Sequence, residues 1–200
     1  MSTEALLDAL QGMSGWELAA VLLGIAYLLL AVRESIWCWY AAFGSTAIFL
    51  YLFWDVGLLM ESGLQVYYLA MAVYGWWQWQ HGSGDSGELE ITTWSPGRHV
   101  LAMGGVLLAA LASGFLLDRY TEAVLPFVDS FTTWGSILTT WMVARKVLEN
   151  WLYWLVIDSV CVYLYLDREL YLTALLFMVY LVIVVFGYRK WLHHYRMQSA

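Results

Sequence analysis

Residues 145–170 read RKVLENWLYWLVIDSVCVYLYLDREL, and residues 33–58, 112 positions earlier, read RESIWCWYAAFGSTAIFLYLFWDVGL. Laid one over the other without a gap, Arg33 meets Arg145, Trp39 meets Trp151, and Tyr51 and Leu52 meet Tyr163 and Leu164. Asp55 meets Asp167, and the same frame then pairs Tyr68 with Tyr180, Gly75 with Gly187 and Trp79 with Trp191. In a chain this apolar, chance supplies aliphatic matches easily. It does not readily supply Arg, Asp, Gly and Trp matches in one frame, so the chain contains an internal repeat.

The solvent of that repeat follows from composition. Of 200 residues, 62% are apolar and 12% charged, whereas a soluble domain is nearer half apolar and a quarter charged. Too few polar groups exist to cover a water-facing surface, which implies an integral membrane protein. A helix needs roughly 17–25 apolar residues to cross a bilayer. Seven segments qualify: 16–32, 36–54, 60–80, 98–117, 131–146, 149–166 and 170–188. Gly and Ser enrich the loop 81–98, the one linker that is not expected to pack. The net charge of −7 says little about partners, and nucleic acid is excluded because no basic stripe exists beyond YRKWLHHYR at 188–196. Ahead of the first span lie Glu4 and Asp8, with Glu17 at its start, and the first basic residue is Arg33. A secretory signal has a basic start, so the first span is expected to stay in the mature protein.

Seven spans place the termini on opposite sides. One side carries Arg33, Arg98, Arg145, Lys146, Arg189, Lys190 and Arg196, and the other only Arg119 and Arg168. That asymmetry predicts an outside N-terminus and a cytoplasmic C-terminus. Repeat one covers 16–80 and repeat two 131–191, with the 98–117 span as a linker helix between them. A shift of four spans is even, so the two three-helix units enter the membrane in the same direction. The expected fold is an all-α membrane protein of seven transmembrane helices, three plus one plus three, forming a single transport domain. Parallel repeats of this kind characterise transporters, whose substrate sits at the repeat interface near mid-membrane.

Within the second repeat, Asn150, Trp154 and Asp158 are four residues apart and share a helix face, with Trp151 beside them. Asp158 is the one ionisable residue well inside any of these seven spans. An isolated carboxylate there is costly and must face the bundle interior. It is either a neutral acid hydrogen-bonded to a neighbouring helix, or a group that meets water or a ligand. Trp154 can stack a flat ring, and indole faces favour cationic ones. Gln65 and, one turn on, Tyr68 form a second polar face that could converge with Asp158. Trp76, Trp77, Trp79 and Trp191 sit at span ends and most of them read as interface belt residues, and Cys38 and Cys161 as small core side chains. The four histidines, at 81, 99, 193 and 194, lie in loops or the tail without metal-ligand spacing, so no metal is expected. No HExxH, GxSxG or glycine-rich phosphate loop is present, and no lysine lies inside a span to hold a chromophore. Neither an enzyme nor a light-driven pigment fits, and no cofactor or catalytic residue is expected.

The stretch RKVLENWLYW, a polar residue at 158, and LQVYY…YGWWQW in repeat one resemble the PnuC family of bacterial vitamin transporters, over about Trp16 to Trp191. The resemblance implies a SWEET-like fold in the bacterial cytoplasmic (inner) membrane and a trimeric homo-oligomer. It also implies uniport of a vitamin that cytosolic phosphorylation then traps. Gln65, Trp151, Trp154 and Asp158 match positions where the family contacts its ligand. Tyr68 and Asn150 complete the candidate substrate set, and Trp39 and Tyr180 are the candidate gates. This chain departs from the nicotinamide riboside carriers at Asp158, Ser45 and Ala72, where those carriers tend to have asparagine. An acid in place of amides suits thiamine, which is therefore placed slightly ahead of nicotinamide riboside. A sugar, another vitamin or a nucleoside is the further alternative.

Overall fold

The computed structural model describes residues 13–55, 59–82, 89–121, 125–167 and 170–198, the side chains of 59–61 aside. Among them are seven helices: α1 (Gly15–Val32), α2 (Trp37–Asp55), α3 (Leu59–Gln80), α4 (Pro96–Tyr120), α5 (Pro126–Ala144), α6 (Asn150–Asp167) and α7 (Tyr171–Gln198). At about 1.5 Å per residue, even the 18-residue α1 and α6 approach the roughly 30 Å of a hydrocarbon core. Three helices, α1, α4 and α7, are long and apolar enough to cross a membrane on length and composition alone. The other four carry most of the polar side chains that the bundle encloses.

Local chemistry sets the helix starts. Ser14 and Glu17 close a capping box on α1, with Ser14 Oγ accepting from the Glu17 amide at 3.2 Å and Glu17 Oε2 from the Ser14 amide at 2.7 Å. Proline opens α4 and α5, where its missing N–H is no loss. Two ends differ from the sequence expectation. Helix α5 begins at Pro126, five residues before 131, and so brings Asp129 into its first turn. Helix α7 runs on to Gln198, because the segment after 188 still has an apolar face whose Trp191 is fully buried.

Position by position, the repeat is a structural one. Helices α1 and α5 each end on a residue near φ −90°, followed by a left-handed non-glycine residue: Glu34 at φ 54° and Lys146 at φ 48°. Glu34 N donates to Ala31 O, and Lys146 N to Val143 O, both at 3.0 Å. Trp39 packs edge-on against Trp79, and Trp151 against Trp191, each pair at 5.4 Å and 86°. The Trp79 indole N–H donates to Val143 O at 3.2 Å, while that of Trp191 donates to Ala31 O at 3.0 Å. Each repeat thus bonds its tryptophan to the other's helix end, as a pseudo-two-fold axis requires. The axis passes between Glu34 and Lys146, whose side chains meet at 3.0 Å.

That arrangement corrects two expectations. Trp79 and Trp191 are not belt residues; they are 5% and 0% exposed and join the repeats at the heart of the core, whereas Trp77 is half exposed. Nor is the 81–98 loop unpacked. Its residues 83–88 lie outside the described set, but Ile91 is buried and Thr92 bridges the α5–α6 turn. There Thr92 N donates to Lys146 O at 3.0 Å and the Leu148 amide to Thr92 O at 2.8 Å. Helix α4 packs along α5, and both cysteines are buried and unpaired.

Candidate functional site

A cavity of about 1020 Å³ lies between the two repeats, and all seven helices contribute to its wall. Its size is at the upper end of the roughly 300–1,000 Å³ typical of small-molecule sites. Most of its wall is apolar or aromatic, with polar groups at a few places. Trp39 lines it at the end where the Glu34–Lys146 pair sits, backed by Trp79, over whose ring Lys146 Nζ stands at 4.9 Å. Glu34 Oε1 also meets His194 Nδ1 at 2.6 Å, so this end of the bundle is tied by a charge cluster.

Six of the residues singled out in the sequence line the cavity together: Trp39, Gln65, Tyr68, Trp154, Asp158 and Tyr180. The period of α6 explains Trp154 and Asp158, which are one turn apart on the inward face. Asp158 is 3% exposed, and no hydrogen bond or ion pair to it exists among the described residues. Tyr68 lies beside Ser136 of α5. Tyr180 reaches the wall because Gly24 leaves it room; a Cβ at Gly24 would stand 3.3 Å from the tyrosine hydroxyl.

Asn150 and Trp151 are placed elsewhere. Both are buried in the layer beyond the cavity's end. Asn150 Nδ2 donates to Val147 O at 2.7 Å and so fastens the α5–α6 turn, while Trp151 packs against Trp191 and against Gly187. Ser45 and Ala72, the two positions of departure from amides, do lie in the wall, and Ser45 Oγ donates to Ala20 O at 2.7 Å.

Other wall residues had no place in the sequence reading. Asp129 is one, hidden because the span was begun at 131. The hydroxyls Ser130, Thr133, Ser136 and Thr140 of α5 are others; their spacing in SFTTWGSILTT was the signal that could have found them. Tyr27, Tyr165 and Phe177 add aromatic surface, the last two 5.1 Å apart. The wall's ionisable side chains at neutral pH are two carboxyls, Asp129 and Asp158, and no Lys, Arg or His is among its described residues. Such a cavity attracts a cation and repels an anion.

The comparisons with known proteins agree with this architecture. The model of the nicotinamide mononucleotide transporter family matches residues 14–193. The riboflavin/roseoflavin transporter RibM of Streptomyces davaonensis is 28% identical over 175 residues, covering 85% of this chain and 81% of that one. The nicotinamide riboside transporter PnuC of Escherichia coli is 24% identical over 210 aligned positions, covering 92% and 87%. The crystal structure of a vitamin B3 transporter PnuC superposes with a TM-score of 0.76 at 18% identity, over 96% of this chain and 87% of that one.

Proposed function

The chain belongs to the nicotinamide mononucleotide transporter family, a family of multi-pass membrane transporters, and from that premise we propose that it carries a small cationic aromatic vitamin. The relatives that carry riboflavin and nicotinamide riboside support a vitamin as cargo. The observation that favours a cationic one is the wall itself, where Asp158 lies buried and unpartnered beside Trp154 and no basic group is at hand. A carboxylate and an indole face suit a positively charged ring. Thiamine and nicotinamide riboside each have such a ring. A phosphorylated cargo such as the mononucleotide fits poorly, because its phosphate would meet Asp129 and Asp158 with no cation to receive it.

On this reading Gln65, Tyr68, Trp154 and Asp158 touch the cargo, and Trp39 and Tyr180 gate it. Asn150 and Trp151 hold α6 and α7 in place. Transport is facilitated diffusion through the cytoplasmic membrane of a bacterium, and phosphorylation in the cytosol retains the vitamin. The absence of any phosphate-binding loop in the sequence supports a carrier that uses no ATP of its own. The test is uptake into liposomes holding the purified protein, with no ATP and no ion gradient. Thiamine or nicotinamide riboside should equilibrate faster than into protein-free liposomes. Uptake of riboflavin alone would overturn the cationic assignment, and uptake of none of the three would overturn the vitamin reading.

A further inference from the structure

Ser130, Thr133, Ser136 and Thr140 follow one another on α5 at steps of three, three and four residues, which puts four hydroxyls along one helix face. All four are in the cavity wall. The repeat-related positions on α1, 112 residues earlier, are Leu18, Val21, Gly24 and Leu28, with no hydroxyl among them. Two repeats that agree in their turns and tryptophan pairs therefore disagree here. At these four positions the second repeat is hydroxylic and the first is not; α1 brings Gly24, Tyr27 and Leu28 to the wall.

A hydroxyl on a helix commonly satisfies itself on the carbonyl one turn back. Ser113, Thr132, Thr139 and Ser159 do so, bonding Ala109, Val128, Gly135 and Leu155. Ser113 and Thr132 are themselves wall residues, but the four hydroxyls of this row make no such bond among the described residues. Ser130 is 3% exposed and its Oγ has no hydrogen-bond partner. Thr133 and Thr140 have none among the described residues, and Ser136 lies beside Tyr68 of α3. A buried hydroxyl left unpaired is costly, and Ser130 is such a group; with Thr133 and Thr140 in the same wall it makes a set of donors and acceptors free to meet a cargo.

We propose that this α5 face is a polyol subsite, which hydrogen-bonds the sugar or sugar-alcohol portion of a cargo whose ring lies against Trp154 and Asp158. Successive hydroxyls stand about 4.5–6 Å apart along the helix axis, so one ribose can reach two of them together. Each can donate to one sugar hydroxyl and accept from another, which an ionised carboxyl cannot do. The subsite deepens the vitamin-carrier reading and rests on it. Of the two cationic vitamins it selects the riboside, since thiamine has no sugar.

Two matched ligand pairs test this, followed by tryptophan fluorescence of the purified protein: nicotinamide riboside with 1-methylnicotinamide, and riboflavin with lumiflavin. In each pair the second compound keeps the ring system and lacks the polyol. Wild type should prefer the polyol-bearing member of at least one pair by about tenfold or more, and Ser130→Ala/Thr133→Val/Thr140→Val should abolish most of that preference while leaving the ring-only ligand within about twofold. The variant Thr133→Ser/Thr140→Ser keeps the hydroxyls and should bind like wild type; if the triple variant does not fold, single Thr133→Val and Thr140→Val stand in for it. Equal losses for both members of a pair, or no loss for either, would overturn the subsite. So would a wild type that binds both members alike, although the carrier reading would then stand. Binding of neither pair, with no vitamin taken up by liposomes, would remove the carrier reading and the subsite together.

Discussion

Asp158 is the residue on which cargo charge turns. It lies two turns into α6, 3% exposed, with Trp154 one turn before it and no described partner of its own. A charge-assisted hydrogen bond in a partly dry site contributes roughly 1.5–3 kcal/mol, which is about tenfold or more in affinity. Asp158→Asn keeps the shape and removes the charge. Titration should show thiamine or nicotinamide riboside binding weakened by about that factor, with riboflavin little changed. If every ligand binds as before, the Asp158 carboxyl does not meet the cargo as a charge. Helical spacing made the shared face of Asn150, Trp154 and Asp158 readable in the sequence. It could not say how deep the cavity runs along that face. The turn at 145–149 and the Trp151–Trp191 contact fill the space around Asn150, so the face opens on the cavity from Trp154 onward.

Among the elements, two matched close fits are where α3 meets α2 and α7 meets α6. A methyl added at Gly75 would overlap the Trp39 indole, and one at Gly187 would overlap that of Trp151. Those indoles are 2% and 1% exposed and held edge-on by Trp79 and Trp191, so they have nowhere to retreat. Overpacking of this kind typically costs 1–3 kcal/mol. Gly75→Ala and Gly187→Ala should therefore both lower the thermal midpoint of the detergent-solubilised protein, and by similar amounts because the repeat makes the sites alike. Gly104→Ala on α4 is the control. Nothing lies within 4 Å of its would-be Cβ, so removing glycine there should be neutral or slightly stabilising. If the control falls as far as the other two, the indole contact is not the cause. The Gly75–Gly187 match was visible in the sequence, but its reason was not, since it depends on which tryptophan the helix opposite presents. The same blindness sent Trp79 and Trp191 to the membrane belt: a tryptophan at a span end has the same pattern whether it faces headgroups or another repeat.

At the scale of the whole molecule, the pseudo-two-fold axis gathers the 33–36 turn, the 145–149 turn and the C-terminal part of α7 at one end. Lys146 meets Glu34 there at 3.0 Å, Glu34 meets His194, and Arg145 Nη1 donates to the Tyr74 hydroxyl at 3.3 Å. Seven of the nine basic residues belong to this end by sequence. Setting aside Lys146, which is 6% exposed and paired with Glu34 in the fold, six remain against Arg119 and Arg168. Six against two still predicts that this end faces the cytoplasm. The Glu34–Lys146 cluster and the Trp39 floor then stand between the cavity and the cytoplasm, while the hydroxyls of early α5 lie toward the outside. An epitope after Ala200 should be reached by antibody only once the membrane is opened, and one before Ser2 should be reached on intact cells. Neutralising Arg189, Lys190 and Arg196 together should weaken that bias and give a mixed population, because three of the six charges are lost. Labelling reversed in the wild type would overturn this orientation, and the tryptophan layer would then close the cavity toward the outside.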